Sequence, residues 1–264
     1  MSPIQELASV NGKISPTDAT MIPLRDDGLY RGDGVFEVIR LYAGRPYALG
    51  AHLDRLERSG SAIELPVPRA ELETEVEALL ERNGDTDAQL RLLVTRGGLR
   101  VALIEPLVEH AAAVSLASVT YSPTVILTGV KSLSYGANMQ ATRIAKAGGA
   151  DDALLVRPDG IVLEAPTSTI FWASGGELRT PALDTGILDS ITRRAVVDSL
   201  EVSEGGYDLA EALAADEAFL ASTVREIQPI SAIDDRVLEP GPRTAAAAEA
   251  FAKVVADELG APVR

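Results

Sequence analysis

The sequence predicts an α+β protein, because strand-like and helix-like segments follow one another without the steady strand–helix–strand rhythm of a parallel α/β sheet. Two bulk observations agree. The 264 residues suffice for one large or two modest domains, and 46% hydrophobic residues with only 4% aromatic ones is an ordinary globular composition.

Asn11-Gly12 is a tight-turn dipeptide between short apolar runs. Ala43-Gly44-Arg45 separates the run Val35–Tyr42 from Pro46–Leu49 and predicts a second hairpin. Leu53, Leu56 and Ile63 are spaced for a helix over 51–62, and Leu72, Val76, Leu79 and Leu80 for one over 69–83. Gln89–Thr95 reads as a strand, Arg96-Gly97-Gly98 as a turn, and 99–104 as another apolar stretch. Pro106 opens a linker, so a first domain over 1–106, a linker at 107–112 and a second domain over 113–264 are expected.

Val114–Thr120 alternates as a strand does, and a helix over 136–147 closes on Gly148-Gly149. Ala153–Val156 and Gly160–Leu163 flank the turn Arg157-Pro158-Asp159-Gly160, which predicts a hairpin ending at Glu164. Strands follow at Thr169–Ala173 and Glu177–Thr180. Asp189 or Ser190 caps a helix beginning at Ile191. A strand at 217–222, the segment 223–233 and an Ala-rich helix over 244–259 complete the order.

A formal charge of −15 argues against a nucleic-acid partner. No apolar run reaches membrane-spanning length, and Met1–Glu6 carries no signal pattern, so a cytoplasmic location and no membrane partner are expected. The chain lacks cysteine, which excludes disulfides, iron–sulfur clusters and a thiolate nucleophile. Its two histidines, His52 and His110, give little support to a metal site, and none is expected.

The chain holds four lysines, and Lys131 opens the unusual string Lys131-Ser132-Leu133-Ser134-Tyr135. A lysine amine forms Schiff bases with carbonyl compounds, pyridoxal phosphate among them. Glu164 is placed to pair with a pyridine nitrogen, against the plainer reading of a solvated strand-end carboxylate. Ile191 and Thr192 offer helix N-terminal N–H groups to a phosphate, Ser222-Thr223 a second hydroxyl-rich turn, and Arg55 a cation.

Five ordered blocks, Arg31–Arg40, His52–Ser59, Lys131–Tyr135, Leu163-Glu164 and Gly186–Arg193, resemble the fold-type IV pyridoxal-phosphate enzymes. That family includes D-amino-acid transaminases, branched-chain L-amino-acid transaminases, some (R)-amine transaminases and aminodeoxychorismate lyases. The resemblance implies a small N-terminal α+β domain, a larger barrel-like domain and a homodimer whose active sites lie between domains. It implies Lys131 as the Schiff-base lysine, Glu164 as the ring-nitrogen partner and Arg55 as the phosphate arginine. Tyr135 would support the ring hydroxyl, and Ile191, Thr192 and Thr223, with Ser222, would line the phosphate cup.

An amino donor and a keto-acid acceptor are the implied partners. Glu37-Val38-Ile39-Arg40 leans toward D-amino-acid transaminases, since branched-chain members usually place Gly after that Glu and lyases often Thr. The Arg-x-His element that traps the substrate carboxylate in the familiar D-specific enzymes is missing after Thr95-Arg96-Gly97, where the loop is short. Arg31, Arg91 and Arg96 are the replacement candidates, and a loosened trap would admit (R)-amines. Thr223–Ile227 resembles a branched-chain substrate turn, which keeps that reading open. A noncatalytic pyridoxal-phosphate binder is the last alternative.

Overall fold

The computed structural model describes residues 6–260, so residues 1–5 of the stretch searched for a signal pattern lie outside them. Among the described residues no helix is long and apolar enough to cross a membrane. The chain forms two compact units. One holds the described residues of 1–108, 130–135 and 258–264, and the other holds 109–129 and 136–257. The sequence expects a single crossing at 107–112; the structure adds a return at Val130–Tyr135, whose backbone bonds a strand of the first unit.

In the first unit β1 (Leu7–Val10) and β2 (Lys13–Pro16) meet through Asn11-Gly12. Both turn residues have positive φ, as a twist-matched two-residue hairpin requires. Then come α1 (Asp27–Arg31), β3 (Gly34–Tyr42), β4 (Arg45–Pro46), α2 (Leu49–Ala62), α3 (Arg69–Asn83), β5 (Ala88–Thr95) and β6 (Arg100–Glu105). The antiparallel sheet has the order β2-β1-β6-β5-β3-β4. Val35, Ile39 and Leu41 of β3 join Leu90, Leu92 and Val94 of β5 against Leu53 and Leu56 of α2 and Leu72, Val76 and Leu79 of α3. Each such buried side chain contributes about 1.5–3 kcal/mol, so this face holds both helices on the sheet.

The first residues of β3 carry Val130–Tyr135. Phe36 N donates to Lys131 O at 3.0 Å, and Leu133 N to Gly34 O at 2.8 Å. Position 34 tolerates only glycine, because a Cβ would lie 2.6 Å from Val94 O and 2.7 Å from Leu133 Cδ1.

The second unit contains β7 (Val114–Thr120), α4 (Gly136–Ala147), β8 (Asp152–Val156), β9 (Thr169–Ser174), β10 (Glu177–Pro181), α5 (Ile191–Ser199), β11 (Val202–Gly205), α6 (Leu209–Leu213), β12 (Glu217–Ser222), β13 (Glu226–Ile233), β14 (Arg236–Val237) and α7 (Pro242–Leu259). The sheet order is β11-β10-β9-β12-β13-β7-β8, with β14 beside β13. The expected hairpin arm after β8 is an irregular ladder. Leu163 N donates to Leu155 O, and Leu155 N to Glu164 O, both at 2.9 Å.

The other edge of that arm bonds residues just past β11, with Val162 N donating to Tyr207 O at 2.9 Å and Leu209 N to Gly160 O at 3.0 Å. The arm therefore engages both ends of the sheet, which accounts for the barrel-like character. Alternation along β9 sends Ile170 and Trp172 to one core, with Leu154 and Leu220, and Phe171 to the other, with Phe219, Val196 and Ala247.

Candidate active site

Backbone pairing with β3 fixes Lys131, and Lys131 N also donates to Ser59 Oγ on α2 at 3.2 Å. Its Nζ lies 4.4 Å from the centroid of the Phe36 ring and 5.9 Å from that of Tyr135. The two rings meet edge to face at 5.4 Å. An amine held against aromatic faces is both oriented and sheltered from water. The structure thus brings Lys131 and Tyr135 together, as expected, and adds Phe36 and Ser59, which the sequence reading missed.

Arg55 is buried in the first unit. Its Nε and Nη2 donate to Glu37 Oε1 and Oε2, each at 2.7 Å, and His52 Nδ1 lies 2.7 Å from Oε2. Burial alone would raise the Glu37 carboxyl, but the Arg55 charge and its hydrogen bond, then His52, bring it down to about 2. Burial lowers the His52 pKa, with smaller contributions in the same direction from the charges of Arg55 and Lys131, against the pull of Glu37.

Unfolded His52 therefore takes up a proton that the folded chain refuses, and stability is expected to fall as the pH drops below about 6.5. His110, lowered by burial and then by Arg225, adds in the same direction. Glu37 adds no loss until the pH falls below the ordinary carboxylate range toward 2. Thermal unfolding at pH 7.5 and 5.5 checks this: His52→Gln should lose less Tm on acidification than the parent, and an equal loss would refute it.

In the second unit Glu164 ends the arm after β8. Leu188 N points at both its carboxylate oxygens from 3.4 Å, a long contact on each side. Burial, then the charge of Glu164, raises the Tyr121 phenol. Tyr121 donates to Asn138 Oδ1 at 3.2 Å, and Asn138 Nδ2 donates to Pro166 O at 3.3 Å, two residues past Glu164. Neither Tyr121 nor Asn138 stands out in the sequence.

Ser190, one of the two expected caps, accepts from Arg193 N at 3.3 Å and starts α5. Ile191 and Thr192 then occupy its first turn, where N–H groups have no partner within the helix. Thr192 Oγ1 is buried with no hydrogen-bond partner among the described residues. An orphaned hydroxyl beside helix N-terminal amides is the donor set a phosphate oxygen satisfies. The second unit therefore fits a phosphorylated pyridine, with a carboxylate for its ring nitrogen. Ser222 Oγ accepts from Arg225 N at 3.4 Å, and Thr223 lies in that same turn between β12 and β13.

The three substrate arginines differ. Arg96 donates through Nε to Asp33 at 2.7 Å and through Nη2 and Nη1 to the carbonyls of Ile63 and Glu64, so all three of its nitrogens hold the fold. The loop behind it is tight, with Thr95 N donating to Leu99 O at 2.9 Å, and a Cβ at Gly97 would strike Asp26 Oδ2 at 2.1 Å. Arg91 pairs with Glu105 at 2.8 Å and, by register opposite Val38, shares the sheet face of Phe36. Arg31 pairs with Asp27 at 2.6 Å in an exposed i,i+4 contact, its side chain 73% accessible.

Residues 34–233 match the family described as amino-transferase class IV. The chain is 35% identical to a putative branched-chain-amino-acid aminotransferase of Methanocaldococcus jannaschii, over 87% of this chain and 88% of that protein. It is 32% identical to an aminodeoxychorismate lyase of Bacillus subtilis, over 86% of each, and 31% identical to a D-alanine aminotransferase of Bacillus licheniformis, over 89% and 92%. A crystal structure of a branched-chain aminotransferase from Thermoproteus uzoniensis, with norvaline, superposes with a TM-score of 0.87 at 30% identity, covering 96% of this chain and 95% of that one.

Proposed function

The chain belongs to the class IV aminotransferase family, whose members use pyridoxal phosphate, and we propose that it carries out a ping-pong transfer of an amino group between an amino acid and a 2-keto acid, with D-amino acids as first donors. The observation that carries the transaminase reading is the lysine amine held between Phe36 and Tyr135 on a backbone-paired segment. Pyridoxal phosphate supplies a carbon that bonds an amine and a ring that accepts electrons.

Lys131 is the covalent anchor, and once freed its Nζ is the base that carries the proton leaving the donor's α-carbon. Glu164 holds a proton at the ring nitrogen, and Tyr135 supports the ring hydroxyl. Arg55, Ile191, Thr192, Ser222 and Thr223 bind phosphate oxygens. The D-donor preference rests on Val38, half-buried where branched-chain members have Gly.

A branched-chain L-amino-acid reading is favoured by the turn at Thr223, closed through Ser222, and by the similarity to the archaeal protein named above. The lyase alternative uses the same lysine but eliminates pyruvate; a noncatalytic binder would keep the cofactor without turnover. Adding D-alanine, D-glutamate, L-leucine or (R)-1-phenylethylamine singly to the yellow protein, without keto acid, separates them. Bleaching to the pyridoxamine form by D-donors supports the proposal, bleaching by L-leucine alone moves it to the second reading, and no bleaching refutes a transaminase.

For the substrate carboxylate Arg31 is the first candidate, because an exposed i,i+4 pair holds it by only about 0.3–0.5 kcal/mol; Arg91 is the second. Losing a charged hydrogen bond of about 1.5–3 kcal/mol, Arg31→Ala should lower kcat/KM for amino acids roughly 10–100-fold and leave (R)-amines unchanged. Equal loss on both would refute a carboxylate role. We also propose a homodimer, since Met21, Leu24, Leu29 and Tyr30 form an exposed apolar stretch leading to Arg31, with Met21 88% accessible. Light scattering at micromolar concentration tests it.

A further inference from the structure

Glu37 sits at a core position. It falls on the same face of β3 as Val35, Ile39 and Leu41, all three of which are in the hydrophobic core, yet it is a fully buried carboxylate. Opposite it, α2 presents His52, Arg55 and Ser59, three and four residues apart on one helix face, and all three are buried. A carboxylate and a guanidinium taken out of water recover their desolvation cost only through excellent geometry, and an apolar pair of the same volume is often as stable. The core alone therefore gives no reason for this set of residues.

We infer that Glu37 and His52 are positioning residues that aim the Arg55 guanidinium at the cofactor phosphate, an inference that rests on the phosphate role proposed for Arg55. The geometry has a direction. Glu37 takes the Nε edge of Arg55 through two parallel bonds of 2.7 Å, using two of its five N–H groups. That grip sets the plane and heading of the other three. His52 Nδ1 completes the carboxylate's acceptor set and stops it rotating.

The same helix face also reaches the lysine: Ser59 Oγ, four residues past Arg55, accepts from Lys131 N at 3.2 Å. One stripe of α2 thus fixes both the phosphate cation and the backbone of the covalent residue. The imidazole, kept neutral by its burial, adds no charge to the pair, and His52 Nε2 is buried with no partner among the described residues.

The test separates orientation from charge. Full-length holoenzyme and its Glu37→Asp, Glu37→Gln and Arg55→Ala variants are dialysed to equilibrium against pyridoxal phosphate and, separately, against pyridoxal, which lacks the phosphate. Bound cofactor is read by absorbance. Glu37→Asp keeps the charge but withdraws the carboxylate by one methylene, and is expected to weaken pyridoxal phosphate binding at least about tenfold, as loss of an outer-shell support typically does, with pyridoxal binding unchanged.

Arg55→Ala should show the same selective loss, and Glu37→Asp on that background should add nothing. If Arg55→Ala leaves the preference for the phosphorylated form intact, the phosphate role of Arg55 fails. If Arg55→Ala removes that preference while Glu37→Asp does not, only the positioning inference fails. Tighter pyridoxal phosphate binding by Glu37→Gln would mean that charge repulsion outweighs orientation, and would also overturn it. Equal weakening of both ligands in Glu37→Asp would mark a purely structural role.

Discussion

Lys131→Met is expected to abolish transamination, lowering kcat by at least about 10³-fold, since it removes the covalent anchor and a proton-transfer group that alone is worth roughly 10²–10⁴. The fold should survive. The segment is held by backbone bonds, Phe36 N to Lys131 O and Leu133 N to Gly34 O, and by Ser59, none of which involves the amine. Methionine keeps the length and volume of the lysine stem against Phe36 and Tyr135.

A second variant, Lys131→Arg, keeps a cation over the Phe36 ring but offers no amine that deprotonates at working pH. If the position served only packing or a cation–π contact, Lys131→Arg would retain most of the activity. Single-turnover bleaching with the best donor, measured beside the unfolding midpoint, distinguishes these. Loss of turnover in both variants with an unchanged midpoint is the expected result. Retained turnover in either would overturn the assignment of Lys131.

Long periodic segments were readable before the structure. The helices 69–83 and 136–147 and the strand 114–120 have the boundaries expected, because each has apolar spacing bounded by turn or cap residues. Short elements were not. α1 and α6 are five residues each, too brief to show a period, and α1 depends on the Asp26 side chain, which accepts from Gly28 N and from Thr95 Oγ1, 69 residues away. β11 forms because β10 offers it a parallel edge, which no local pattern announces.

Sequence reading singled out Lys131, Tyr135, Glu164 and Thr192 as chemical groups, but assigned Glu37 only a place in a specificity pattern. The signal for its burial was present. A carboxylate at the apolar period of a strand, followed by His52, Arg55 and Ser59 at helical spacing, marks a buried polar face once the two periods are overlaid. Partners such as Phe36 for Lys131, or Tyr121 and Asn138 around Glu164, arise from tertiary approach and leave no trace in spacing. The return of Val130–Tyr135 to the first unit is of the same kind, since it depends on the open start of β3 and on Gly34.

Glu164→Gln is expected to lower kcat roughly 10²–10³-fold, the scale seen when one preorganised electrostatic group is removed from a reacting centre. The residue is suited to hold a proton at a ring nitrogen because few protein donors compete for it; the printed contacts to its carboxylate are two long ones of 3.4 Å from Leu188 N. Gln keeps the shape and offers a neutral amide in place of the charge, so the ring nitrogen loses the anion that keeps it protonated. Cofactor binding should fall much less than turnover, since Lys131 and the phosphate groups remain.

A purely structural carboxylate would behave otherwise, and Tyr121 provides the independent readout. Its phenol is raised by burial first and by the charge of Glu164 second. Removing that charge should bring the Tyr121 pKa down, visible in the tyrosinate absorbance titration as a change that Tyr121→Phe abolishes. A fall in kcat together with a lowered Tyr121 pKa places the loss in the electrostatics of Glu164. Unchanged turnover with the tyrosine shift intact would mean that the charge is present but unused, and the assignment of Glu164 to the ring nitrogen would fall.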